Sequence, residues 1–92
     1  MVIQGLNFIE TCGACPEQYD VTLHGRLVGY VRLRWGTVTC DYPDWAGELI
    51  YSHSFNDGWK GCFDGSEERE KYLNEIAEAI QAKLAQEKQE NK

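Results

Sequence analysis

The sequence has no apolar run approaching the roughly 20 residues that a membrane-spanning helix needs, which excludes that architecture. Its opening residues lack the basic-then-apolar order of a signal peptide, so the expectation is a soluble protein of the cytoplasm with no membrane partner. Positive charge is scarce. Nine Lys and Arg face fifteen Asp and Glu, a net charge of −6, which repels phosphate and disfavours nucleic acid unless the arginines are segregated onto one face. Catalytic groupings are missing too. Asp41, Asp44, Glu48, Asp57 and Asp64 are scattered among turn residues, where Asp serves backbone capping, with no companion base, nucleophile or phosphate-binding glycine loop. Ser52 and Ser54 flank His53, but neighbouring strand positions point to opposite faces and cannot form a dyad with it. His53 reads as a core histidine and His24 as an exposed turn residue. No enzyme is expected, and no internal repeat or second domain is visible.

What is present suits one small domain. The chain has 92 residues, of which 42% are apolar, with three Trp, five Tyr and three Phe, enough for a modest packed core. Tyr19-Asp20-Val21-Thr22-Leu23-His24 alternates, placing Tyr19, Val21 and Leu23 on one face. Residues 27–35 alternate again, with Leu27, Val31, Leu33 and Trp35 inward and Arg26, Tyr30, Arg32 and Arg34 outward; Gly29 marks close packing. If Leu23 opposes Leu27, the loop between them is His24-Gly25-Arg26. A third strand carries Val38, Cys40 and Tyr42 inward, and a fourth, over residues 48–55, carries Leu49, Tyr51, His53 and Phe55.

Residues 56–65 hold several glycines and no period, and read as a surface loop pinned by Trp59, Cys62 or Phe63. Asp64 or Ser66 then caps a helix, Asp64 and Glu67 having the spacing of a capping box. Tyr72, Leu73, Ile76, Ala77, Ile80 and Leu84 form its apolar stripe, and the polar residues beyond Leu84 are expected to fray. The expected architecture is α+β: a four-stranded antiparallel meander with one C-terminal helix on one face. Its divisions are an N-terminal segment over 1–18, the folded domain over 19–84 and a polar tail over 85–92.

Four cysteines carry the sharpest chemical signal, because Cys12 and Cys15 have the C-x-x-C spacing that aims two sulfurs at one metal ion. Zinc would need two more ligands from Cys40, Cys62, His24 and His53, and no second motif supplies them. A redox site would need a helix start beside the pair, whereas Pro16 and a strand follow. In a reducing cytoplasm these thiols are expected to be free or metal-bound rather than bridged. The plainest alternative makes Cys40 a core residue and leaves Cys12, Cys15 and Cys62 in loops.

Arg26, Tyr30, Arg32 and Arg34, with Trp45 and Trp59 in loops, are the residue types that anchor protein interfaces. The opposing expectation is that Asp20, Asp41 and Glu48 neutralise the arginines across strands, and that the tryptophans seal core edges. Strands followed by a helix resemble the small DNA-binding domains of some phage integrases, from which this chain departs in its acidic balance and in Asp41 and Glu48.

At Cys15-Pro16-Glu17-Gln18-Tyr19-Asp20-Val21, Gly29-Tyr30-Val31-Arg32-Leu33-Arg34 and the helix over 66–80, the chain resembles small uncharacterised proteins of bacteriophages and prophages of Gram-positive bacteria. That resemblance implies a bacterial host cell and a small acidic protein that binds and inhibits host machinery, such as a defence protein. The leading expectation is therefore a non-enzymatic protein-interaction module, ahead of a small zinc domain and a nucleic-acid-binding domain. An exposed outer sheet also leaves room for a homodimer.

Overall fold

The computed structural model describes residues 1–12 and 15–90. It is an α+β fold with one antiparallel sheet in the order β1-β2-β3-β4-β5-β6 and one C-terminal helix. The strands are β1 (Val2–Ile3), β2 (Leu6–Cys12), β3 (Glu17–Leu23), β4 (Arg26–Arg34), β5 (Thr37–Tyr42) and β6 (Glu48–Ser54), and the helix is α1 (Gly65–Glu90). Among the described residues, no helix is long and apolar enough to cross a membrane.

Six strands replace the expected four. The additional pair comes from the N-terminal segment, where Leu6 and Phe8 alternate inward and Gln4-Gly5 closes a two-residue hairpin with Ile3 opposite Leu6. Three hairpins use this same turn. Gln4-Gly5, His24-Gly25 and Trp35-Gly36 all have positive φ at both residues, the geometry that matches the right-handed twist of the flanking strands. The β3–β4 loop is therefore His24-Gly25 rather than three residues, with Leu23 opposite Arg26.

A bulge keeps the inward sides of both strands apolar despite the shorter loop. Val21 pairs with Gly29 and Thr22 with Leu27, so Val28 is an extra residue that resets the alternation. Val28 is buried, and Leu27, expected inside, is exposed. A second bulge, at Ile50, does the same to β6: Cys40 pairs with Tyr51 and Asp41 with Leu49, and Leu49 turns outward at 57% exposure. Trp35 lies outside as well, because β4 ends at Arg34 and the turn carries the ring off the pleat.

The core lies between the sheet and α1. Leu6, Phe8, Tyr19, Val21, Val28, Val31, Leu33, Val38, Cys40 and Tyr42 meet Leu73, Ile76, Ala77 and Ile80 there. Gly29 is bare because of that approach, since a Cβ would sit 2.8 Å from Ile80 Cδ1. Both edges of the sheet reach the same helix. On one side Gln81 Nε2 donates to Gln4 O (2.8 Å), and on the other Tyr51 OH donates to Glu75 Oε1 (2.6 Å) and Lys83 pairs with Glu48 (2.7 Å). The sheet thus curls around α1 and turns its other face to solvent.

The helix start differs from the expected capping box. Asp64 N donates to Glu68 Oε1 (2.9 Å) instead of Glu67, while the Asp64 carboxylate pairs with Lys60 (3.0 Å). Past Leu84 the helix continues to Glu90, and Tyr42 OH donates to Glu87 in that stretch. Residues 91 and 92 of the expected tail lie outside the described residues.

Candidate binding groove

The groove is built at the β4–β5 turn by a loop that folds over it. Phe55 N donates to Gly36 O (2.7 Å) and Gly36 N to Lys60 O (2.9 Å), so residues 55–60 clasp the turn through its own backbone groups. Only glycine permits this approach. A Cβ at Gly36 would lie 2.5 Å from Asp57 O and 2.7 Å from Gly58 Cα, and its φ of +75° disfavours a side chain in any case. Inside the loop, Asp57 Oδ1 accepts from Trp59 N (2.9 Å) and Asp57 O from Lys60 N (3.1 Å), which sets where Trp59 leaves the backbone.

The far end of the loop is tied to the start of β3. Cys15 and Cys62 form a disulfide, with Cα atoms 5.4 Å apart, and Glu17 N donates to Gly61 O (2.7 Å). Beneath it lies Glu17, the one buried acid among the described residues. Its carboxylate accepts from Tyr19 OH, from Phe63 N (3.1 Å) and from Arg69 through Nε (2.6 Å) and Nη2 (3.1 Å). Burial alone would raise that carboxyl. The Arg69, Tyr19 and Phe63 hydrogen bonds and the Arg69 charge outweigh it and hold the group below the ordinary carboxylate range. One carboxylate therefore joins strand, loop and helix.

Above this junction lies an open groove of about 490 Å³, lined by Cys15, Pro16, Arg34, Trp35, Trp59 and Gly61. Trp35 and Trp59 meet edge to face, ring centroids 5.8 Å apart at 64°, yet remain 62% and 83% exposed. The Arg34 guanidinium lies 5.5 Å over the Trp35 ring. Trp35 also has φ +53°, a left-handed conformation that is uncommon for a bulky residue. The matching position in the other two hairpins holds the polar Gln4 and His24.

The residues expected to bind a partner fall into three places. Arg34 and Trp59 share the groove; Tyr30 and Arg32 stand outward in the middle of the sheet; Arg26 and Trp45 lie at the opposite end, Arg26 beside Leu27, Tyr42, Pro43 and Glu87. Cross-strand neutralisation of the arginines does not occur. Asp20 and Asp41 pair with Tyr30 from either side, Arg32 lies between Gln18 and Thr39, and Glu48 turns to Lys83 on the helix. Among the described residues, none of Arg26, Arg32 and Arg34 has a carboxylate within 4 Å. Neither Trp45, at 76% exposure, nor Trp59 seals a core edge.

The expected zinc ligands separate. The disulfide takes up Cys15 and Cys62, contrary to the expectation of unbridged thiols, because the loop folds back onto β3 and brings the two within bonding distance. Cys40 is buried under the helix with its thiol pushed up to about 12 by burial and, after that, by Asp41. Cys12 is free and half-exposed. Among the described residues, no three His, Cys, Asp or Glu are grouped to hold a metal ion. His53 packs in an aromatic cluster, its ring centroid 4.9 Å from that of Phe55 and 4.7 Å from that of Tyr72.

Sequence reasoning missed Trp35, Pro16 and Gly61 as groove residues. The Trp-Gly pair between two alternating runs was the available signal for Trp35, since it places the tryptophan in a two-residue hairpin turn. In comparisons with protein-family models, curated proteins and solved structures, the chain gives no significant match.

Proposed function

We propose that this chain is a non-enzymatic interaction module that docks a partner protein in the groove lined by Trp35 and Trp59. The observation that carries the proposal is Trp35 itself, exposed and in a left-handed turn position where polar residues or glycine fold more easily. Folding gains little from an aromatic ring placed there, whereas an interface gains much, because Trp, Tyr and Arg are enriched among the residues that anchor interfaces. The resemblance to small phage and prophage proteins extends the proposal: the partner is a host protein, and docking inhibits it.

The cytoplasm of a bacterial cell, the location that goes with this reading, requires the chain to function with Cys15–Cys62 reduced for part of its life. Three backbone hydrogen bonds and the one from Phe63 N to Glu17 hold the loop without that bond. The test is affinity capture from a bacterial lysate on the immobilised chain, with a Trp35→Asn/Trp59→Ala variant as control. A protein held by the natural chain and released by the variant is expected. Equal recovery on both, or none on either, refutes the groove as docking site.

A further inference from the structure

We infer that the groove takes an extended acidic peptide segment: a proline or aromatic side chain enters beside Trp35 and Trp59, and a carboxylate one or two positions away pairs with Arg34. This rests on the interaction-module reading and adds the chemistry of the partner. The groove's size suits a few residues of extended chain, being within the range that binds compact ligands. Its walls supply stacking surface from Trp35, Trp59 and Pro16, with Arg34 as the one charged lining residue among the described residues.

Charge is what selects the partner. The chain carries −6 overall, and the cations Lys60, Arg69 and Lys83 each sit on carboxylates of their own. Among the described residues, Arg34 and its outward neighbour Arg32, about 7 Å along β4, have no such partner. A guanidinium lying over an indole ring keeps its N–H edge free, and that edge fits a carboxylate with two parallel hydrogen bonds. The acidic surface elsewhere, such as Glu67, Glu70 and Glu78 on the helix, repels the same segment, and Arg26 stands alone at the opposite end beside Glu87, so attraction is strongest where Arg34 and Arg32 adjoin. A nucleic acid strand meets that repulsion at every phosphate, whereas a peptide with one or two carboxylates meets it only there.

The experiment selects randomised dodecapeptides on the oxidised full chain, with Trp59→Ala as counter-selection. Enriched peptides should share an Asp or Glu within two positions of a proline or aromatic residue. A synthetic peptide from that set should perturb tryptophan fluorescence and lose about tenfold in affinity with Arg34→Gln. Exchange of its own acidic residue for the amide should cost the same, and the two changes together no more than either alone. Arg34 and Trp59 are exposed, and circular dichroism checks that both variants fold.

Peptides that need Trp59 but share no acidic residue overturn this inference and leave the interaction-module reading standing. Peptides held equally by the natural chain and Trp59→Ala overturn both. A fluorescein-labelled oligothymidine that binds and is lost with Arg34→Gln overturns the peptide assignment in favour of nucleic acid.

Discussion

Removing the Cys15–Cys62 bond should lower global stability sharply while leaving the groove in place. The two cysteines are 47 positions apart, and the loop-closure entropy lifted from the unfolded chain by a bridge of that span is about 14 cal/mol/K, or about 4 kcal/mol at 25 °C. A 92-residue domain has roughly 5–14 kcal/mol in total, so the bond supplies a large share. The melting temperature should fall by roughly 15–30 °C on reduction. Urea unfolding of oxidised protein, reduced protein and a Cys15→Ser/Cys62→Ser variant measures the difference. Because Glu17 N, Gly36 N, Phe55 N and Phe63 N still hold the loop, the near-ultraviolet dichroism of the Trp35–Trp59 pair should persist in the reduced native protein. A loss under 1 kcal/mol would refute the entropic estimate of about 4 kcal/mol. Four titratable thiols in denatured, unreduced protein, instead of those of Cys12 and Cys40 alone, would refute the bond itself.

Trp35→Asn should leave stability within about 1 kcal/mol of the natural chain, since relief of the left-handed strain offsets the lost edge contact with Trp59. Thermal melting checks this, and a loss of 3 kcal/mol or more, the size of a core truncation, would make Trp35 a structural residue instead of a binding one. Gly36→Ala should cost about 2 kcal/mol or more, because the added Cβ meets Asp57 O and Gly58 Cα and the residue keeps a positive φ. Chemical denaturation together with the Trp35–Trp59 dichroism should show the loop displaced, and an unchanged spectrum would place the loop's anchorage elsewhere.

How much of this was legible in the sequence differs by element. Val21, Val31, Leu33, Val38 and the helix stripe from Leu73 to Ile80 announce themselves by period, and they form the observed core. Leu6 and Phe8 carry the same alternation, but the prominent cysteine pair just beyond them drew the N-terminal segment into a separate unit. Strand alternation loses its phase where the chain gains a residue. A bulge at Val28 and another at Ile50 each shift the phase by one; Gly29 beside the first fits a bulge as well as close packing, and nothing in composition marks the second, so period alone puts Leu27 and Leu49 on the wrong face. Pairings across long spans were illegible for another reason. Cys15 with Cys62 and Glu17 with Arg69 are joined by the return of the loop and helix onto β3, and no spacing rule encodes that return.

Glu17 and Arg69 show why such a pairing belongs beside a groove. A buried ion pair is an uneconomical source of stability, because apolar residues of similar volume often hold a fold as well or better. Its use is direction. The Glu17 carboxylate fixes Tyr19, Phe63 N and Arg69 at once, and so sets where the loop bearing Trp59 crosses the end of the sheet. Arg69→Met alone should therefore cost about 2–4 kcal/mol, the lower part reflecting partial exposure of the arginine, since it leaves a buried carboxylate short of a partner. Glu17→Leu with Arg69→Met should cost less than that single change while blurring the Trp35–Trp59 dichroism. The pH response separates the roles further. A carboxyl held below its unfolded value of 4.5 contributes stability that is fully present above that pH and is lost as pH falls through the folded value. Unfolding free energies measured from pH 6 to pH 3 should thus fall more steeply in the natural chain than in Glu17→Gln. Parallel curves would mean that the carboxylate does not hold the junction in its charged form, and that the groove owes its position to the disulfide and the glycine clasp alone.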